Sequence, residues 1–178
     1  MEKLSSKELL LRYSKGIRNF SKLNLQGVAL FEKVLRDADF SGSDLSNAYF
    51  PYSQLNESTF LRSNLSGADL AHVQLYRANF AGANLAQANL QRANLRHADL
   101  SGANLSQATL HCADLREANL TGANLTEATL TNVEANGASF SGAILSRCTF
   151  FRATGIDVDD GQWDETVILP DGYRKKQP

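Results

Sequence analysis

Leucine or phenylalanine stands at every fifth position from Phe20 to Phe150, with Ala135 the one lapse. Of the 27 multiples of five in that span, 26 are Leu or Phe, so the apolar positions form one continuous series. A period of five fits neither regular element. On an α-helix at about 100° per residue, successive leucines would wind around the whole surface. A plain strand needs period two. Five residues do hold a short extended piece plus a corner.

A second series runs in step with the first. Two residues before each central Leu or Phe there is usually a small residue, and from Ala78 to Ala128 it is Ala eleven times in a row. Positions two apart in an extended segment point the same way, so both series face inward. Between them stands Asn or Asp in most repeats, as at Asn79, Asn84, Asn89, Asn94 and Asp99. Such side chains suit corners because they bond nearby backbone groups. The two residues after the central Leu are polar, small or Gly, and are expected to face water.

Phenylalanine counts the corners per coil. Central Phe occurs at 20, 40, 60, 80 and 140, and otherwise only at 50 and 150. Gly42, Gly82, Gly102, Gly122 and Gly142 share one twenty-residue register. Both patterns point to four pentapeptides per coil, stacked like on like. Glycine in that column is read as a turn requirement.

These residues resemble the pentapeptide-repeat family, whose unit is A-[DN]-L-x-x. The clearest stretch, residues 78–110, reads ANFAGANLAQANLQRANLRHADLSGANLSQATL. The resemblance implies an all-β solenoid, a right-handed quadrilateral β-helix with Leu and Phe stacked down its axis. Phe20, Phe40, Phe60, Phe80, Leu100, Leu120 and Phe140 are then one structural core stack. Residues 18–152 at twenty per coil make about seven coils, and a strand spacing of about 4.8 Å makes a rod about 30 Å long.

The expected organisation has three parts. Residues 1–17 form a short capping helix, with Ser5 or Ser6 as N-cap, Glu8 in the first turn and Gly16 as a stop. Leu9, Leu10 and Tyr13 are its covering face. Residues 18–153 are the β-helix, and residues 154–178 a C-terminal cap and basic tail. Within the last part, 162–173 reads as a lid carrying Trp163, Val167, Ile168 and Leu169, and 174–178 as a loose tail. The same apolar segment could instead serve dimerisation, so the chain is expected to be a monomer or an end-to-end homodimer. The early coils are least regular: Lys33 holds a position meant for a small inward residue, Phe31 falls on an outward one, and Tyr49, Phe50, Pro51 and Tyr52 place aromatics and a proline on one outer edge.

Charge and chemistry narrow the function. With 18 basic and 19 acidic residues, the chain lacks the basic excess of a general nucleic-acid binder. No apolar run approaches a bilayer span, and Leu9, Leu10 and Leu11 are too short for a secretory core, so the cytoplasm is the expected compartment. Cys112 and Cys148 fall at different repeat positions, which argues against a disulfide framework. No phosphate loop, nucleophile elbow or paired-Cys zinc signature is present. Residues 157–161 fail the calcium-loop spacing, because Gln162 stands where that loop needs Gly. His72, His97 and His111 all point outward. No catalytic residue, metal or cofactor is therefore expected.

One outer edge collects charge. Tyr76, Arg77, Arg92, Arg96, His97 and Arg116 form a candidate interaction edge for an acidic partner or a phosphate-rich surface. The leading expectation is a non-enzymatic, rigid protein-binding or scaffold module whose partner is another protein, with nucleic acid and membrane disfavoured. Some family members look like duplex DNA and modulate a type II topoisomerase, gyrase. Here the rod carries equal charges and a cationic edge, which departs from that pattern.

Overall fold

The computed structural model describes residues 1–174. Its regular elements are β1 (Glu2–Lys3), α1 (Ser6–Ser14) and β2 (Leu23–Asn24), with β1 and β2 parallel. Everything between Asn19 and Thr154 is one solenoid. Parallel bridges join residues twenty apart, from Asn19↔Asp39 to Glu134↔Thr154.

Local chemistry explains why bridges replace long strands. Most corners close with a hydrogen bond from an N–H to the central residue's carbonyl three residues earlier, as from Ala83 N to Phe80 O at 2.9 Å. At all 27 second-corner positions from Lys22 to Arg152, φ is positive, between 53° and 75°. That single positive φ is the mark of a type II turn. Two residues of every five are spent on corners, so each side of the coil is only three residues wide. The Asn or Asp stands in the middle of a side and not in the corner itself. Its Oδ1 accepts the N–H of the first corner residue, as Asn79 does from Ala81 at 2.9 Å and Asp99 from Ser101 at 3.0 Å.

The coils satisfy one another. Leu85 N donates to Asn104 O at 2.7 Å, and Asn104 N donates to Ala83 O at 2.9 Å. Side-chain amides repeat the motif, each donating to the coil below, from Asn84 to Asn64 at 3.0 Å and from Asn104 to Asn84 at 3.1 Å. Inside, the stack Phe20, Phe40, Phe60, Phe80, Leu100, Leu120 and Phe140 is buried throughout. Each buried Leu contributes about 1.5–3 kcal/mol.

At the N-terminal end Ser5 caps α1 in a capping box with Glu8. Leu9 is fully buried, and Leu10 and Tyr13 pack against the core. At the other end the chain keeps winding at shorter spacing, through Ile144↔Gln162 and Thr149↔Ile168. Val167 is buried there, with Trp163 and Leu169 against the core. Arg174 is not loose: it forms an antiparallel bridge to Ile168. The remainder of the expected tail, 175–178, lies outside the described residues.

Lys33 also departs from expectation. Its side chain is exposed, and its N–H donates to Ser53 Oγ at 3.0 Å. Ser53 Oγ in turn donates to Leu30 O. Ser43 does the same for Leu23 N and Phe20 O, and Ser58 for Ala38 N and Leu35 O. Ser43, Ser53 and Ser58 thus each bridge the opened or lengthened corner of the coil below.

Candidate interaction face

A coil's three-residue sides are bracketed by its corners, so the corners at 91–92 and 96–97 flank side 93–95. Stacked over twenty-residue steps, this side shows an outward column of Val34, Gln54, Gln74, Asn94, Asp114 and Glu134. One flanking corner column carries Tyr52, His72, Arg92 and Cys112, the other Tyr76, Arg77, Arg96, His97, Arg116 and Glu117. The candidate edge is therefore the rim of one flat side. The middle of its floor, Gln54, Gln74 and Asn94, is amide, with Asn94 Nδ2 donating to Gln74 Oε1 at 3.1 Å.

The charges on this side differ in how they are compensated. Arg116 grips Asp114 through Nε at 2.9 Å and Nη2 at 2.5 Å, and its Nε lies 3.5 Å from Glu134. Burial raises the Asp114 pKa, but the hydrogen bonds and charge of Arg116, with a weaker contribution from Arg96, outweigh it and hold the carboxyl below its usual range. The Asp114 hydrogen bond correspondingly raises Arg116. His97 Nδ1 is 3.1 Å from Glu117 and packs edge-on to Tyr76 at 5.3 Å. Arg77 lies over the Tyr76 ring at 5.2 Å. Arg77, Arg92 and Arg96 form no ion pair within the described residues, and the buried Nε of Arg96 has no acceptor.

Toward the N-terminal end the corner that this side shares with the neighbouring side 48–50 turns aromatic. Phe31 stacks on Tyr49 at 6.1 Å and meets Tyr52 edge-on at 5.9 Å, and Tyr52 stacks on His72 at 4.5 Å. Phe31, Val34, Tyr49 and Tyr52 are all exposed.

Sequence reasoning missed one contact. Cys112 Sγ lies 3.3 Å from His111 Nε2, whose Nδ1 lies 2.7 Å from Thr131 Oγ1 one coil up. The two neighbours occupy one corner, which alone was readable from the repeat. Cys148 is buried, and burial pushes its thiol up, so it packs as a small hydrophobe. A cavity of about 230 Å³ opens at the C-terminal end, lined by Ala138, Ser139, Phe140, Ser141, Asp157 and Asp160. Among the described residues no cluster of three His, Cys, Asp or Glu could hold a metal, and no helix is long and apolar enough to cross a membrane.

A stack of pentapeptide corners with an inward Leu/Phe column defines a solenoid repeat protein. The family is equally clear: the model of pentapeptide repeats matches in eight copies, over residues 19–70 and 74–147, and the chain belongs to that family. Among solved structures it is similar to trypsin-treated QnrB1, a plasmid-mediated fluoroquinolone resistance protein. Identity there is 21% over 92% of this chain and 87% of that one, with a TM-score of 0.53, a likeness of fold. HetL of the cyanobacterium Nostoc, involved in heterocyst differentiation regulation, is 27% identical over 97% of this chain and 100% of its own, with a TM-score of 0.42. A pentapeptide-repeat protein of the Arabidopsis thaliana thylakoid lumen is 32% identical over 63% of this chain and 64% of its own, with a TM-score of 0.25. No curated protein sequence matches the chain.

Proposed function

We propose that the protein is a non-catalytic binding module that docks another protein on the flat side rimmed by Tyr76, Arg77, Arg92, Arg96, His97 and Arg116. One observation carries the reading: Arg77, Arg92 and Arg96 cluster around an amide floor on one side of the rod and, among the described residues, form no ion pair there. A rigid rod supplies fixed spacing, so little ordering cost is left for the moment of binding. In this reading the rod is right-handed, about seven coils long and closed by α1 and the C-terminal segment, as a monomer or an end-to-end dimer.

The test is an affinity capture from native lysate with wild type and a variant carrying Arg77, Arg92, Arg96 and Arg116 as Ser. A protein retained by the wild type and lost from the folded variant supports the reading. Equal retention by both counts against this side, and substrate turnover abolished by a surface substitution would remove the non-catalytic assignment. Modulation of a type II topoisomerase is the second reading, favoured only by the QnrB1-like fold. The cationic rim of Arg77, Arg92 and Arg96 speaks against a DNA-like surface, and an unchanged supercoiling activity of gyrase would exclude it.

A further inference from the structure

From its N-terminal end upward, the flat side changes character in three steps. Phe31, Val34 and Tyr52 first expose apolar surface, 41%, 50% and 52% accessible, among the exposed charges Glu32, Lys33, Arg36, Asp37 and Glu57. Arg77, Arg92 and Arg96 follow. Asp114, Glu117 and Glu134 come last, tied to Arg116 and His97. We infer that this side takes a polypeptide segment carrying an aromatic or apolar anchor followed by a cluster of carboxylates. The inference rests on the binding-module reading and adds the chemistry of the partner.

Aromatic and arginine side chains are the residues that concentrate binding energy at protein interfaces. Here they are adjacent and differ in what they ask of a ligand. Tyr52, His72 and Arg92 share one corner column. Two coils separate Tyr52 from Arg92, about 9.6 Å at roughly 4.8 Å per coil. Extended chain advances about 3.3 Å per residue, so the ligand's anchor and its first carboxylate should stand about three residues apart.

Charge order disfavours a nucleic-acid ligand. A nucleic-acid backbone long enough to follow the rod would run from the arginines onto Asp114, Glu117 and Glu134, whereas a short acidic segment stops before them.

The test uses fluorescence anisotropy with the full chain and a fluorescein-labelled peptide. Its Trp anchor is followed three residues later by the first of four glutamates. Control ligands replace the glutamates by glutamine, replace the Trp by serine, or substitute a labelled oligothymidine. The acidic anchored peptide is expected to bind saturably and at least tenfold more tightly than every control. Tyr52→Ser and the pair Arg92→Ser with Arg96→Ser should each weaken it at least tenfold. Arg62→Ser, on another corner column, should change it less than twofold, with circular dichroism unchanged in all variants. Equal binding of the glutamine peptide, tighter binding of the oligothymidine, or no saturable binding would overturn the inference. If the peptide fails while lysate capture still depends on the arginines, this inference falls and the binding-module reading stands.

Discussion

The rings of Phe60 and Phe80 lie face to face, centroids 4.7 Å apart and planes 3° from parallel. Their separation equals one strand spacing, so a single twenty-residue step sets both the backbone ladder and the core stack. Phe20–Phe40 and Phe40–Phe60 approach the same geometry at 5.6 and 5.2 Å. Above Phe80 the column continues as Leu100 and Leu120 without a break in burial.

That continuity sets the expected cost of changing the stack. Phe80→Leu should lose about 1.5 kcal/mol or less, since the neighbouring coil already houses Leu in that column. Phe80→Ala should lose about 3–5 kcal/mol, because the coils above and below are held by their ladders and cannot collapse into the void. Denaturant unfolding with constant m-value measures both.

The buried serines make a sharper demand. Ser58→Ala leaves Ala38 N–H and Leu35 C=O without the oxygen that bridges them, and should cost about 1–3 kcal/mol. The reverse exchange, Ala98→Ser, meets in the coil below a corner at 75–78 already closed by its own hydrogen bond at 3.0 Å. It should yield no compensating gain in thermal unfolding.

These serines also show where sequence reading stopped. The inward columns were legible because burial acts on every repeat alike, and the Phe and Gly registers betrayed the coil length. Ser43, Ser53 and Ser58 looked like ordinary small residues. Their role depends on which corner lies beneath, and Leu23 and Lys33 gave the only hint. The Asn and Asp column was expected at the corners, yet it sits at mid-side and reaches forward. Charge on the rim was readable as a list of arginines. Which of them are neutralised was not, since Arg116–Glu134 and His97–Glu117 join different coils.

Glycine positions that look alike should respond differently. Gly102 has φ of +62° with nothing within 4 Å of an added Cβ, so Gly102→Ala should cost only the backbone strain, about 1 kcal/mol. At Gly155 an added Cβ would stand 2.5 Å from the Asn136 backbone nitrogen. Gly155→Ala should therefore lower the melting temperature by clearly more than Gly102→Ala.

Acid should weaken the upper coils. The folded-state pKa of Asp114 is depressed, so its contribution is present above the unfolded value of about 3.9 and is lost as pH falls through the folded pKa. The difference in unfolding free energy between wild type and Asp114→Asn should be constant from about pH 7 to 5 and shrink below about pH 4. A difference that grew on acidification would contradict the Arg116–Asp114 assignment.

The central claim is that one side of the rod, and not its ends or its Gly-bearing corners, meets the partner. Site-specific photo-crosslinking reads this most directly, with benzoylphenylalanine placed in turn at 92, 96, 102 and 107 of the full chain in native lysate. The account expects one discrete adduct from positions 92 and 96, and none from 102 and 107, which lie on the two other corner columns. Adducts formed at 102 or 107 but absent at 92 and 96 would contradict it.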